Sequence, residues 1–300
     1  MRFSFWVGNG HSWEHTLDAC RHAEASGWDG IWFADHLMPL GEGRSGPVQE
    51  AWTTLAGLAA AVPRVRLGPL VSGNTYRNPA LLAKMATTVD HISGGRVVLG
   101  IGAGWQENEH RAFGFEYRDF PWRFDRLEEA CAVITSLLRD HSASLDGQHY
   151  TIVDAPLDPA PVQERLPLLI GGGGERRTLR LVARWADEWN VWGTPETLVQ
   201  KGEVLERRCE EVDRDPATIA RSAVALLFMS DDAERLASLR AKGIGRPSII
   251  GTPEEVGEIV AAYAEAGVDE LIIPDFTFSS AAERDDTLDR FIGEVAAAHR

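Results

Sequence analysis

AEASGWDGIWFAD at residues 23–35 and AEAGVDELIIPD at residues 264–275 are two copies of one phrase, and this repeat is the strongest sign of how the chain is organised. In each copy an amphipathic helix stops at a glycine, Gly27 or Gly267, which tolerates the left-handed backbone of a helix end. An apolar residue, an aspartate and a short apolar run follow, which is typical of a buried strand. A looser third copy, ARWADEWNVW, lies at residues 183–192. The phrase is the helix-to-strand half of a βαβ unit.

Helix and strand patterns alternate along almost the whole chain. Several strand-like runs are apolar throughout, as expected where a parallel sheet is buried on both faces. Eight strands and eight helices predict an α/β fold, a closed (β/α)8 TIM barrel, as a single domain over residues 1–300. A doubly wound open sheet is the alternative, disfavoured because no GxGxxG motif follows the first strand. Strands are predicted near 2–7, 29–34, 65–71, 96–102, 167–170, 188–192, 221–228 and 269–274, and helices near 12–25, 51–61, 79–90, 122–139, 175–185, 195–213, 253–266 and 281–298.

Two insertion segments exceed what a minimal barrel needs. Residues 103–166, after strand 4, contain the aromatic stretch Phe113-Gly-Phe-Glu-Tyr and a proline-rich piece from Pro156 to Pro167. Residues 229–252, after strand 7, contain an extra helix and a loop. Long insertions in compact domains are usually functional or disordered, and the aromatic residues favour an ordered lid over the barrel mouth.

The composition excludes several kinds of partner. A formal net charge of −15 argues against binding to nucleic acid or to anionic membranes, because both need clustered lysine and arginine. No run reaches the ~18 apolar residues of a membrane span, and a strand-like run starts at Phe3, so we expect no leader peptide. Cys20, Cys131 and Cys209 lie in helical patterns without metal or CxxC spacing, which predicts buried thiols in a cytoplasmic protein.

The chemistry of such a barrel is carried by residues that follow the strands. After strand 2 comes Asp35-His36, and a carboxylate beside an imidazole can orient it for proton transfer near neutral pH. A turn in which Asp35 caps local amides and His36 only packs is the alternative interpretation. After strand 3, Ser72 offers a small hydrogen-bonding group.

Glycines follow two further strands. Strand 4 ends in Gly100-Ile-Gly-Ala-Gly-Trp105, where alternating glycines would let a flat ring lie on the backbone or would simply suit a crowded barrel. Trp105 is large enough to stack on such a ring. Gly171 to Gly174 precede a helix, so their free N–H groups and the positive end of the helix dipole predict a phosphate cradle. A flexible connector is the alternative for this loop.

Other polar and aromatic residues give weaker signals. Trp189, Asn190 and Trp192 close strand 6 and are either pocket wall or packing. Glu107, Glu109 and His110 form a polar, helix-like stretch, which favours solvation or lid pairing over metal binding. The sequence shows no metal-ligand spacing, GxSxG motif or Walker A loop.

Assembled, these residues resemble the luciferase-like monooxygenase superfamily, specifically its coenzyme F420-dependent oxidoreductase branch. The resemblance runs from the first strand to about Pro274. Five phrases carry it: GWDGIWFADHL, RLGPLVSGNTYRNPALLAKMATTVDHISGGRVVLGIGAGWQENEHRAFG, RFDRLEEA, LLIGGGGERRTLRLVARWADEWN and GTPEEVGEIVAAYAEAGVDELIIP. Each is weak alone, and together they are specific.

The resemblance implies a deazaflavin ring at the strand ends, with Asp35 and His36 as catalytic residues beside it. Relatives carry a non-prolyl cis peptide in the bulge after strand 3, so we expect a cis bond between Pro69 and Leu70, or else between Gly68 and Pro69. The implied cofactor-binding residues are Leu70, Val71, Ser72, Gly102, Ala103, Gly104, Trp105, Gly171, Gly172, Gly173, Gly174, Glu175 and Arg176.

The activity implied is hydride transfer between C5 of coenzyme F420 and a small organic substrate, with His36 relaying a proton and Asp35 supporting it. Sugar-phosphate dehydrogenases of the family place a glutamate where this chain has Trp105, which disfavours glucose-6-phosphate as the substrate. An FMN-dependent monooxygenase on the same scaffold is the first alternative, and a non-catalytic cofactor-binding paralogue is the second. Relatives commonly pair, so a homodimer is expected.

Overall fold

The computed structural model describes residues 1–41 and 45–300, and it shows parallel strands that alternate with helices around a barrel. The strands are β1 Arg2–Val7, β2 Gly30–Phe33, β3 Arg66–Pro69, β4 Ser72–Gly73, β5 Leu99–Gly102, β6 Ser142–Asp146, β7 Thr151–Pro156, β8 Leu168–Gly171, β9 Glu188–Trp192, β10 Ala220–Val224, β11 Leu226–Met229, β12 Ser248–Gly251 and β13 Glu270–Pro274. The helices are α1 Trp13–Ser26, α2 Ala51–Ala61, α3 Pro79–Ser93, α4 Glu107–Phe113, α5 Phe120–Asp140, α6 Thr178–Trp185, α7 Pro195–Glu210, α8 Ala233–Lys242, α9 Pro253–Glu265 and α10 Ala281–Arg290.

The main sheet confirms the predicted barrel. Its strands pair in parallel in the order β3, β2, β1, β13, β10, β9, β8, β5, β4. A parallel bridge between Leu67 and Val97 joins β3 to the residues just before β5, which brings the two ends of the sheet together. The predicted strands 1 to 8 therefore correspond to β1, β2, β3, β5, β8, β9, β10 and β13.

The repeated phrase has a structural purpose at the helix-to-strand turn. Gly27 and Gly267 adopt φ of 98° and 78°, as their helix-end positions require. The aspartate of each copy then accepts a hydrogen bond from a neighbouring strand: Asp29 from the N–H of Phe3 at 2.8 Å, and Asp269 from the N–H of Arg221 at 2.7 Å. The aspartate thus fixes where each new strand starts relative to its neighbour.

Side chains alternate across the barrel wall, and most of the apolar ones point outward. Phe3, Phe5 and Val7 of β1 belong to the large core between strands and helices. A smaller apolar cluster fills the barrel interior and consists of Trp6, Trp32, Ala34, Leu70, Val98, Leu169, Val224 and Ile272. This inner layer separates a polar floor below from the strand carboxyl ends above.

The polar floor is built around one buried arginine. Arg66 of β3 donates to Glu188 of β9 at 2.7 Å and to Glu270 of β13 at 2.8 Å, and the Trp32 indole donates to Glu270. Burial alone would lower the pKa of Arg66, but the two carboxylates raise it, so the guanidinium stays charged. Arg2 lies 3.4 Å from Glu270 and supplies a second positive charge for the two carboxylates. The network ties strands from opposite sides of the barrel together.

The first insertion segment only partly forms the expected lid. Its early part reaches the barrel mouth, where Phe115 packs 5.3 Å from Tyr76, between ring centroids. The expectation is wrong for the proline-rich part. There, the buried carboxylate of Asp90 on α3 accepts the N–H groups of Val162 and Gln163, which holds this stretch on the outside of the barrel. Between the two parts lie α5, which is a barrel helix, and the antiparallel pair β6–β7.

The predicted strand at 221–228 divides into two. β10 stays in the barrel, whereas β11 leaves it to pair with β12 in a separate two-stranded parallel sheet. The second insertion segment therefore has a small sheet of its own, with α8 between its strands.

Cys20, Cys131 and Cys209 are buried free thiols, as predicted. Across residues 1–41 and 45–300, no helix combines the length and apolar character needed to cross a bilayer.

The floor network gives a stability prediction. Arg66→Met should lower the free energy of unfolding by about 3–5 kcal/mol, because it leaves the buried Glu188 without its partner and Glu270 with only Arg2 and the Trp32 indole. Urea denaturation followed by circular dichroism measures this. Arg240→Gln is the matched control, because Arg240 pairs with Glu255 at 2.8 Å on the exposed surface and should matter by about 1 kcal/mol at most. Equal losses in the two variants would contradict the role assigned to the floor.

Candidate active site

A cavity of about 770 Å³ opens at the carboxyl ends of the barrel strands. Most of the predicted site residues line it, namely Asp35, His36, Leu70, Val71, Ser72, Gly102, Ala103, Gly104, Trp105, Gly171 and Gly172. Gly173, Gly174, Glu175 and Arg176 are not in its lining and lie further along the loop toward α6. The structure therefore brings together residues from four different strand ends, and their roles stay predictions.

The bulge after β3 contains a cis peptide bond, but one residue later than expected. The bond between Leu70 and Val71 is cis, so the prediction for Pro69–Leu70, and its alternative at Gly68–Pro69, are both wrong. The N–H of Leu70 still donates to the carbonyl of Phe33 at 2.8 Å, which continues the pairing of β3 with β2. The chain therefore leaves the sheet only after Leu70.

The glycines of strands β5 and β8 make room for Val71. A Cβ on Gly102 would lie 2.8 Å from a Val71 methyl group, and one on Gly171 would lie 2.9 Å from it. A Cβ on Gly100 would collide with the carbonyl oxygen of Pro69 at 2.1 Å. Of the two interpretations of these glycines, crowded barrel geometry therefore explains both Gly100 and Gly102, and Gly102 also lines the cavity.

Asp35 does not support His36, which corrects the predicted pair. The carboxylate of Asp35 is buried and accepts two hydrogen bonds from Arg77, at 2.6 and 3.1 Å, and one from the N–H of Gly73 at 3.3 Å. Burial would lower the pKa of Arg77, but Asp35 and Glu50 raise it. Because its acceptor oxygens are engaged there, Asp35 braces the bulge after β3.

The partner of His36 is Glu109, which the sequence analysis assigned to a solvated or lid-pairing stretch. Glu109 is fully buried and accepts from Nδ1 of His36 at 2.8 Å and from the N–H of Leu37 at 2.8 Å. The N–H of Met38 and the hydroxyl of Tyr76 also donate to it. Burial would raise the pKa of Glu109, but the hydrogen bonds from His36, Tyr76 and Leu37 lower it, so the group is a carboxylate at neutral pH.

His110 next to it is a neutral packing residue. Its Nδ1 lies 2.7 Å from the carbonyl oxygen of Gln106, which can only accept, so Nδ1 carries the proton. Its Nε2 then accepts from the Thr75 hydroxyl at 2.5 Å. Burial lowers the pKa of His110. The side chains of Glu109 and His110 are therefore both engaged and not available to a metal. No metal-binding cluster occurs in the part of the chain that the structure describes.

The glycine loop after β8 is partly engaged in the barrel. The N–H of Gly172 donates to the carbonyl of Asn190 at 2.8 Å, and its own carbonyl accepts from the Trp189 indole at 2.9 Å. Lys201 donates to the carbonyl of Gly173 at 2.7 Å, which brings a cation to the loop. Gly172 has φ of 122°, a conformation that favours glycine. The free donors of the loop therefore lie after Gly172, toward α6.

Trp105 forms the outer edge of the cavity. Its indole is 59% exposed and meets the His36 ring edge-on, with centroids 5.5 Å apart. The carbonyl of Trp105 accepts from the Tyr117 hydroxyl at 2.9 Å, and Arg123 donates to the carbonyl of Gly104. These contacts hold the Trp105 segment against the mouth.

The opposite part of the cavity comes from residues that the sequence analysis left open or missed. Asn190 and Trp192 line the cavity, whereas Trp189 packs outside the barrel. Phe276, after β13, and Arg246, from the loop before β12, also line it and were not predicted. The sequence held little signal for these two, because both lie in irregular segments after the barrel strands.

Together, these features define a (β/α)-barrel protein with a ligand cavity, a histidine paired with a buried carboxylate, and a glycine loop. The luciferase-like monooxygenase family profile matches residues 1–246, so the chain belongs to that family.

Two curated relatives and one solved structure illustrate the likeness. An F420-dependent glucose-6-phosphate dehydrogenase of Amycolatopsis mediterranei (strain U-32) is 36% identical over 154 residues, 51% of this chain and 45% of that one. A phthiodiolone/phenolphthiodiolone dimycocerosates ketoreductase of Mycobacterium tuberculosis (strain ATCC 25618 / H37Rv) is 29% identical over 233 residues, which cover 76% of this chain and 58% of that one. The chain spans about half the length of the curated relatives it matches.

The solved structure shows the fold alone. It is an F420-dependent secondary alcohol dehydrogenase in complex with an F420-acetone adduct, with a TM-score of 0.85, 21% identity and coverage of 99% of this chain and 98% of that one. Superposition over nearly the full length of both chains confirms the barrel architecture.

The pairing of Glu109 with four donors gives a stability prediction. Glu109→Gln should lower the free energy of unfolding by about 2 kcal/mol or more at pH 7, because a carboxamide N–H₂ would face donors. The pKa of Glu109 is lowered in the folded state, so its contribution is present above the ordinary value of 4.5 and lost as pH falls through the folded pKa. The difference between wild type and variant should therefore hold above about pH 6 and shrink in acid.

Urea denaturation at several pH values measures this difference. Glu107→Gln is the matched control, because Glu107 is exposed on the same helix and should change stability by about 0.5 kcal/mol at most. A difference that grows below pH 4.5 would contradict the ionised state assigned to Glu109.

Proposed function

We propose that the protein is a coenzyme F420-dependent oxidoreductase that transfers a hydride between C5 of the deazaflavin and a small organic substrate. The observation that carries the proposal is the position of His36. Its side chain lines the cavity, and its Nδ1 is hydrogen-bonded to the ionised carboxylate of Glu109. The relatives described above, an F420-dependent dehydrogenase and a ketoreductase, support the class of reaction.

The residues present fit such a cofactor. The cavity volume of about 770 Å³ lies within the about 300–1,000 Å³ of ligand pockets. A Cβ on Gly174 would meet the Thr178 hydroxyl at 2.8 Å, so the loop presents bare backbone there. Within the described residues no side chain caps α6, and although the N–H of Leu179 donates to the carbonyl of Gly174, the positive dipole end of the helix is left for a phosphate. Leu70, Val71 and Gly102 to Trp105 would lie along the ring.

When bound, the deazaflavin supplies or accepts a hydride, two electrons at once. Reduction of a carbonyl group consumes a hydride at carbon and a proton at oxygen, and oxidation of an alcohol releases both. The protein must therefore hold and move one proton. Its other tasks are to orient the substrate and to exclude water, for which Trp105 is placed at the mouth.

His36 is the side chain left to handle that proton. Asp35 is engaged with Arg77. The Tyr76 hydroxyl donates a hydrogen bond to Glu109, and burial together with this bond raises the pKa of Tyr76. In His36, Nδ1–H points at Glu109, so Nε2 is the atom that gains or loses a proton. Glu109 compensates the positive charge that forms on the ring when Nε2 is protonated.

Replacing His36 tests the proton relay. His36→Ala should bind cofactor as tightly as wild type but turn over about 10²-fold more slowly, the usual loss for a general acid or base. Steady-state kinetics against a panel of ketones, enones and imines measures turnover, and spectroscopic titration measures binding. His22→Ala is the control, because His22 pairs with Asp289 on the exposed surface. Full turnover with an unaltered pH profile in His36→Ala would show that the relay lies elsewhere.

Side-by-side titration with F420 and FMN tests the cofactor. F420 should bind at least about tenfold more tightly than FMN. Gly172→Val should weaken F420 binding by at least about tenfold, ~1.4 kcal/mol, because a side chain would stand beside the phosphate loop. Gly94→Val is the control: Gly94 also has a positive φ, of 70°, but has no atom within 4 Å of its Cβ position and caps α3 outside the cavity.

Tighter binding of FMN would instead support a monooxygenase on this scaffold. Equal loss of F420 binding in Gly172→Val and Gly94→Val would attribute the effect to backbone strain and remove the cradle assignment. Turnover of no substrate despite tight F420 binding would favour the non-catalytic alternative. A homodimer and a cytoplasmic location stay predictions from the sequence.

A further inference from the structure

One side of the cavity is an aromatic wall, formed by Trp6, Trp192 and Phe276. The Trp6 ring lies 5.9 Å from Trp192 and 5.2 Å from Phe276, between centroids. Trp6 is buried, whereas Phe276 is 44% exposed. A large apolar side chain that lines a cavity and stays partly in water is a surface that a ligand can cover.

The aromatic wall and the predicted cofactor residues occupy different arcs of the barrel. The cofactor residues lie at the carboxyl-terminal parts of β3, β4, β5 and β8 and just after them, whereas the aromatic wall lies at those of β9, β13 and β1. His36, which follows β2, lies between the two arcs, because β2 pairs with both β1 and β3. The aromatic wall is therefore placed for the substrate.

Arg246 is an exposed arginine whose side chain lies against this wall. Its guanidinium carbon is 4.8 Å from the centroid of the Trp192 ring, and its side chain lines the cavity. Within residues 1–41 and 45–300, no carboxylate lies within salt-bridge distance of it, although the chain carries a net charge of −15. Stacking on an indole leaves the planar N–H fork of an arginine free to bind a carboxylate with two parallel bonds.

Arg123, which also lines the cavity, does not offer this. Arg123 donates to the carbonyls of Gly104 and Arg118, and it lies over the Tyr117 ring at 4.7 Å. Its role is to hold the Trp105 segment. Among the described cavity residues, Arg246 is the cation whose N–H groups are not already engaged with protein acceptors.

We propose that Arg246 binds the carboxylate of an anionic substrate whose apolar body packs on the aromatic wall. This assignment rests on the proposed function for the reaction, in which the reacting group lies toward His36. The substrate class is an aromatic or apolar carbonyl compound, or the matching alcohol, that carries a carboxylate at its far end. Arg246 and the aromatic wall then decide which substrate binds, and His36 handles the proton.

A matched pair of probes tests the charge recognition. 4-Acetylbenzoate and 4-acetylbenzamide have the same aromatic ketone and differ in the carboxylate. Isothermal titration calorimetry on the cofactor-free and the F420-loaded protein should show at least about tenfold tighter binding of the acid, the size of one charge-assisted hydrogen bond. This readout needs no turnover.

Variants locate the preference. Arg246→Gln should bind the amide like wild type and lose most of the preference for the acid, and Arg246→Lys should keep part of it, because charge remains but the fork is lost. Arg240→Gln is the matched control from the same insertion, since Arg240 pairs with Glu255 and does not line the cavity. F420 affinity should be the same in wild type and Arg246→Gln.

Three results would overturn the assignment: equal binding of acid and amide by wild type, a preference that survives in Arg246→Gln, or a tenfold loss of F420 affinity in that variant. The last would place Arg246 on the cofactor tail. An acid preference without any F420-dependent turnover would leave the anion site standing and remove the proposed reaction. If the protein turned over the amide as fast as the acid, the proposed reaction would stand and the anion site would be removed.

Discussion

The guanidinium of Arg66 inside the barrel is the constraint on which the architecture depends. A charge buried alone would cost several kcal/mol, so strands that supply its partners must come together around it. Glu188 and Glu270 reach it from β9 and β13, on the far side of the sheet order from β3. The apolar layer that contains Trp32 and Ile272 lies directly above this polar floor. The floor therefore sets how deep the cavity at the strand ends extends.

Two buried carboxylates then shape the cavity, and each fixes a different segment. Asp35 binds Arg77 and the N–H of Gly73, which holds the bulge after β3. Glu109, on the short helix α4, binds the segment that starts at His36. The residues proposed to face the cofactor ring and the residue proposed to transfer the proton are thus held by separate acids. Both acids are buried, so water does not compete for their hydrogen bonds.

The sequence was sufficient for the order of strands and helices, because helix ends such as Gly27 and aspartates such as Asp29 are local signals. It also indicated the strand ends that line the cavity, since a barrel places them at one face. It misassigned Glu109, because that carboxylate meets His36 across 73 positions of chain, a contact that depends on how α4 packs. The position of the cis bond was off by one residue, because pairing of Leu70 with β2 cannot be read from composition. Arg246 was missed because an arginine in an irregular loop has no periodic pattern.

The small sheet of β11 and β12 has a consequence for how this protein diversifies. It lies outside the barrel ladder and carries the loop of Arg246 to the cavity edge. Substitutions in the loop that carries Arg246 leave the floor, the bulge and the histidine–carboxylate pair untouched, whereas Leu227, Met229 and Ile249 of the small sheet belong to the large core and must be kept. A protein engineer can likewise graft a different loop between α8 and β12 to build a library of altered selectivities. The barrel would stay the same in such a library, and only the loop before β12 would differ.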